Sequence, residues 1–303
     1  MNRLHIAAAS CAALSLVASP AAALARSDIC PARPITRPLP SAISETSGLA
    51  QGRRDAGIFW THNDAGNDAV LFAVTAEGAI RSTIKVQGAR LEDWEDIDVA
   101  PCSGGNCLFI GDFGDNSAKR RSITIYRVDE PAPGSTTTSP AVAMTARYPS
   151  GPRDAEAMFI LAGDIYIVTK GRKEPIELYR WPRAGSETVV TLEKVRDVLP
   201  KPRSSKDLVT AAAASPDGKW VAIRTYRSLH LYPAAILVSG ASAVPKGLKI
   251  DLSPVKEPKG EGLVLANDGT IWLSTEAGGK QPPGIARMKC SLPSAATSPR
   301  TSP

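Results

Sequence analysis

Hydrophobic residues fall along this chain in short runs, rich in β-branched and aromatic side chains and separated by polar turns. Ile58-Phe-Trp60, Leu108-Phe-Ile110, Ile165-Tyr-Ile167, Trp220-Val-Ala-Ile223 and Thr270-Ile-Trp-Leu273 read as strands. So do Val70-Leu-Phe-Ala-Val74, Ile123-Thr-Ile-Tyr126, Ile176-Glu-Leu-Tyr179, Leu229-His-Leu-Tyr232 and Gly284-Ile-Ala-Arg287. Asp217-Gly218 and Asp268-Gly269 are two-residue hairpin turns. The alanine run 211–214 favours a helix on propensity, but it is short and Pro216-Asp-Gly follows at once, so it is predicted as a strand.

These strands repeat. Five segments share one pattern: a polar or acidic residue (Leu208 in the fourth), one intervening residue, a Glu or hydroxyl residue, and then an apolar strand. They begin at Glu45-Thr-Ser47, Asp93-Trp-Glu95, Asp154-Ala-Glu156, Leu208-Val-Thr210 and Lys259-Gly-Glu261. The third residue recurs at intervals of 48, 61, 54 and 51. A second and a third strand follow each segment, and a fourth is expected at 80–86, 141–148, 189–195 and 247–252. Four antiparallel strands per unit at this spacing predict an all-β fold, a β-propeller of five four-stranded blades over 41–290. The last repeat lacks a fourth strand, and an extended segment within 26–40 precedes the first. That N-terminal strand is predicted to close the ring and remove its open edge. An irregular two-sheet sandwich is the alternative, and it leaves the repeat unexplained.

Composition adds the compartment. Apolar residues make up 43% of the 303 and charged residues 22%, which excludes wholesale disorder. Residues 1–25 combine Arg3, an apolar run and Ala23-Leu-Ala25, the layout of a cleaved secretory signal, so a secreted or periplasmic protein is expected. Beyond it no stretch is long and apolar enough to span a membrane as a helix. A disordered tail is expected at 291–303. The formal charge of +6 favours small anionic ligands and is too weak to imply nucleic acid. Four cysteines beyond the signal predict two disulfides, Cys102–Cys107 across a tight turn and Cys30–Cys290 across the ring closure. Their spacing does not fit a zinc site.

In a propeller the first strand of each blade lines the axis, so the repeat places Glu95, Glu156 and Glu261 at equivalent positions, completed by Ser47 and Thr210. Glu45, Asp93 and Asp154 lie two residues earlier. Carboxylates meeting at one mouth must be protonated, paired with basic residues or bridged by a cation. Glu45, Glu95, Glu156, Glu261, Asp112 and Asp115 are therefore candidate ligands for calcium, which takes six to eight oxygens; salt bridges are the competing use. Loops on the same face carry Lys119, Arg121, Lys170 and Arg172, candidates for holding an anionic substrate, with His62 nearby. No Gly-x-Ser-x-Gly elbow or phosphate-cradling glycine motif occurs.

Glu45-Thr-Ser-Gly-Leu-Ala, Asp93-Trp-Glu-Asp-Ile, Gly111-Asp-Phe-Gly-Asp-Asn116, Asp154-Ala-Glu-Ala and Ser215-Pro-Asp-Gly followed by Arg224-Thr-Tyr resemble secreted bacterial propellers of the "esterase-like activity of phytase" type. More distantly, Asp115 to Tyr126 and Glu261 to Glu276 resemble β-propeller phytases, and the inner-strand Glu-Gly-Leu is similar to gluconolactonase and strictosidine-synthase propellers. The resemblance implies a divalent cation, calcium, at the axis and hydrolysis of phosphate esters, other anionic esters or lactones. Those families are usually six-bladed, which makes six the alternative count. A non-catalytic binding or scaffold propeller, with a structural cation or a salt-bridged channel, is the other functional expectation.

Overall fold

A computed structural model describes residues 29–30, 34–183, 188–240 and 247–293. The leader expected at 1–25 and most of the tail expected at 291–303 fall outside these residues.

Five blades of four antiparallel strands surround one axis, and in blades one to four the strands run outward in sequence order. The inner strands are Thr46–Gln51, Trp94–Cys102, Ala155–Leu161, Val209–Ala214 and Lys259–Leu265. The alanine run is indeed a strand. Blade one continues through Ile58–Asn63, Val70–Thr75 and Ile80–Lys85. In blade five the fourth strand is the N-terminal Ile35–Pro38, which pairs antiparallel with Gly284–Lys289. The ring is therefore closed as the sequence predicts. Cys30–Cys290 fastens the closure, and Cys102–Cys107 staples the hairpin at the base of blade two.

The core is divided among the five gaps between blades. Strand alternation sends successive side chains to opposite gaps. In Ile58–Asn63, Phe59 packs toward blade five with Leu49 and Val264, while Trp60 packs toward blade two with Ile97 and Leu108. Both faces of each blade are thus buried, which explains strands that are apolar almost throughout.

Blade three departs from the sequence reading. Its fourth strand is Glu193–Leu199 rather than 189–195. Val189–Thr191 instead joins blade two, pairing parallel with Val142–Arg147. The Ser/Thr/Pro loop at 131–140 likewise lies along the outer edge of blade one, bridging Thr137 to Lys85.

Candidate functional site

Each inner strand slips register against its neighbour at the repeat position. The irregularities fall between Thr46 and Leu49, Trp94 and Asp96, Ala155 and Ala157, Val209 and Ala211, and Gly260 and Leu263. A bulge re-aims the residue it carries. It therefore turns Ser47, Glu95, Glu156, Thr210 and Glu261 out of the pleat at the same height in the ring. The three glutamates are 5%, 3% and 3% exposed, and they act on one another electrostatically.

These carboxylates have different partners. Lys170, at the end of the second strand of blade three, pairs with Glu156. Lys259 Nζ lies 3.3 Å from Glu261 and 2.6 Å from Glu276, and the Tyr226 hydroxyl lies 3.3 Å from Glu261. Glu95 sits instead with Asp64 and Asp93. One carboxylate oxygen from each of the three lies within 4.8 Å of the others. Among the described residues no lysine or arginine pairs directly with these three acids.

Electrostatics follow from this crowding. Burial, then the charges of Glu156 and Asp64, hold Glu95 well above the ordinary carboxylate range. Burial raises Glu156 to about 7 against the pull of Lys170, and burial with Glu156 nearby raises Glu261 to about 8. Burial and the adjacent Asp64 raise Asp93 to about 6. Burial works against the charged form of Lys170, but Glu156 and Glu95 overcome it and raise its pKa, so it remains an ammonium.

Neighbouring residues position the cluster. Gly114 carries the 112–116 loop across the acids, where a Cβ would collide with the carboxyl groups of Glu95 and Asp93. The Ser47 hydroxyl donates to the Glu95 carbonyl at 2.8 Å. Arg224, fully buried, donates to the carbonyls of Gly262 (2.5 Å) and Ser274 (3.0 Å) and pairs with Glu257, which supports the bulge bearing Glu261. The Thr210 hydroxyl is buried with no hydrogen-bond partner among the described residues.

The remaining sequence candidates lie elsewhere. Glu45 is exposed at the rim and accepts from Asn67 at 2.7 Å. Asp112 accepts from the backbone of Glu92 and Asp93 and pairs with Arg120 at 2.9 Å. Asp115 accepts from the Arg120 backbone at 2.7 Å. Lys119 and Arg121 are exposed, while Arg120 between them turns inward. Arg172 bridges Asp154 (3.1 Å) and Asn116 (2.6 Å) on the rim. His62 is buried edge-on to Trp94, and burial lowers its pKa to about 4, so it is neutral at pH 7. The sequence reading did not single out Asp64 or Arg120 as ligand or brace. Asp64 stands directly after a second strand, the position that Lys170, Tyr226 and Glu276 hold in blades three, four and five.

No family model matches the chain, and no curated protein matches it. Solved structures do. A glucose dehydrogenase aligns over 85% of this chain and 100% of its own, with a TM-score of 0.51 and 10% identity. A 6-phosphogluconolactonase-like protein from Bacteroides uniformis covers 86% of this chain and 70% of its own, at TM-score 0.40 and 12% identity. A calcium structure of a Trichoderma reesei family AA12 carbohydrate-active enzyme covers 79% and 80%, at TM-score 0.46 and 10% identity. At 10% identity the first of these likenesses is one of fold alone; the sheets of this chain itself make a five-bladed β-propeller.

Proposed function

We propose that the channel mouth holds a divalent cation and that the protein hydrolyses small anionic esters, phosphate esters or lactones there. The observation that carries this reading is the trio Asp64, Asp93 and Glu95, whose oxygens approach within 4.8 Å without a direct basic partner among the described residues. An all-carboxylate donor set is hard and suits calcium. Glu156 and Glu261 face the same space, and the unpartnered Thr210 hydroxyl adds a neutral oxygen donor at their level. When bound, such a cation polarises an ester or phosphoryl oxygen and makes a bound water acidic. Lys170 holds a positive charge beside Glu95 and Glu156, where negative charge develops on a substrate. Arg172, on the rim, draws the anion in. Two disulfides fit work in an oxidising compartment outside the cytosol.

A second reading has its own observation. Glu156–Lys170 and Glu261–Lys259 are the ion pairs of a salt-bridged channel in a non-catalytic propeller. Elemental analysis and calcium titration calorimetry separate the two, followed by phosphate-ester and lactone assays with and without chelator. One ion per chain, lost in Glu95→Gln, with chelator-sensitive turnover, supports the hydrolase. Metal without turnover leaves a binding propeller. No metal in either protein means a salt-bridged channel.

A further inference from the structure

The cationic loops around the channel mouth are joined to one another. Arg172 reaches Asn116 at 2.6 Å and Lys173 reaches the Ser117 carbonyl at 2.7 Å, which ties the rim loop of blade three to that of blade two. Gly171 packs against Pro202, so the crossing into blade four lies beside them. The Arg227 backbone donates to the Lys206 carbonyl at 3.1 Å, and its side chain pairs with Asp207 at 3.0 Å. These contacts make one ridge across three blades. Its inner flank rests on Asp154, which accepts from Arg172 and from the Asp115 backbone, two residues before Glu156.

The charge on this ridge is one-sided. Lys119, Arg121, Lys201, Arg203 and Lys206 are exposed and have no side-chain partner among the described residues. With Arg172, Lys173 and Arg227 they make eight exposed cations against two carboxylates, Glu174 and Asp207. That local excess equals the +6 of the entire chain, so the rest of the molecule is balanced overall. The rim of blade one and its crossing into blade two are acidic instead, with Glu45, Asp64, Asp68 and Glu92 against Arg90.

We propose that the ridge is a docking surface for a linear polyanion with closely spaced negative charges, laid across blades two to four with one end at the channel mouth. A single small anion would satisfy one or two of these cations, whereas a chain of charges can engage them all. A membrane surface fits less well. The large exposed hydrophobics among the described residues are Ile35 and Val142, on outer strands away from the ridge, and stable membrane anchoring needs an apolar signal besides charge. Nucleic acid fits less well too, because the loops at 116–121, 171–174 and 201–207 contain no aromatic residue on which a base can stack, and Tyr226 beside Arg227 is engaged with Glu261. For the channel, the consequence is that an oligomeric anion can present its terminal ester at the same mouth that takes small ones. That consequence rests on the hydrolase reading; the docking does not.

The test is binding of inorganic phosphate and of polyphosphates of increasing length, followed by anisotropy of a labelled long chain at several salt concentrations. Affinity should rise with chain length. With five unpartnered cations engaged, log K should fall against log salt with a slope of about −3.5, the behaviour of a flexible charged chain. Lys201→Ser/Arg203→Ser/Lys206→Ser should weaken long-chain binding at least tenfold and flatten the slope by about 2, and Lys119→Ser/Arg121→Ser should flatten it by about 1. These side chains make no hydrogen bond or ion pair among the described residues, so unchanged melting curves are expected and exclude misfolding. Glu95→Gln should lose its calcium response and keep polyphosphate binding, which separates failure of the cation site from failure of the ridge. Binding without length dependence overturns the proposal, as does wild-type affinity in both ridge variants. Equal or tighter capture by anionic-lipid vesicles or duplex DNA overturns it as well.

Discussion

Asp96 follows Glu95, and the bulge between Trp94 and Asp96 lets both neighbours face the axis. One Asp96 oxygen accepts from the Ile97 backbone at 2.9 Å; the other accepts from Met158 at 2.9 Å and Ala212 at 3.4 Å, in the inner strands of blades three and four. Asp96→Asn would turn an amide NH2 toward at least one of these donors, and it should cost about 1–3 kcal/mol in urea unfolding. In the channel acids the sign of an isosteric change depends on the partner. Glu156→Gln takes the direct partner from the buried Lys170, leaving it the charges of Glu95 and Asp154, and should destabilise the protein by about 1–3 kcal/mol. Glu95→Gln removes a charge crowded by Glu156 and Asp64, so the metal-free protein should be unchanged or more stable. Opposite shifts of the two melting curves in chelator would confirm that division; equal losses would refute it. The repeat placed both glutamates in the sequence. It could not distinguish them, because the distinction comes from Lys170 and Asp64, which lie on second strands and in the loops beyond them.

At the scale of strands, turn chemistry and the recurring acidic segment were enough to count blades, assign inner strands and foresee the closing strand. Two things were not legible. Strict alternation sends Asp96 away from Glu95, and only the bulge overrides it. In blade three, Val189-Val-Thr191 is the more strand-like run by propensity, yet Glu193–Leu199 takes the outer place. The contacts that decide it are non-local: Lys194 meets Glu177 at 2.5 Å, and Arg180 meets Glu193 at 2.5 Å. The bulges also need space where inner strands converge. A Cβ on Gly262 would lie 2.5 Å from the Leu49 Cβ and collide with the Ser274 hydroxyl. Gly262→Ala should therefore push blades five and one apart and cost about 1–3 kcal/mol by calorimetry, a loss typical of overpacking.

For the whole molecule, the buried acids set a pH dependence. Glu156 and Glu261 titrate near 7 and 8 in the fold and near 4.5 when unfolded. The native state then binds more protons than the unfolded one, so stability falls as pH rises through that range. His62 and His230, lowered by burial to about 4, have the opposite effect, but only below their unfolded value of 6.5. Between pH 6.5 and 8.5, therefore, the carboxylates act without opposition from the histidines. In chelator the melting temperature should fall across this interval, and calcium should flatten the fall if it takes the place of the protons. A rising melting temperature would contradict the burial of these acids. The clasp between Cys30 and Cys290 has a consequence of a different kind, in mechanics. It brings two residues 260 apart in sequence to a Cα separation of 4.1 Å. Tension applied at the two ends of the chain therefore passes through one covalent bond and bypasses the ring. Contour length on the order of 900 Å stays out of reach of the pull until that bond is reduced. A protein tethered by one terminus and dragged by the other would transmit the load with its blades slack.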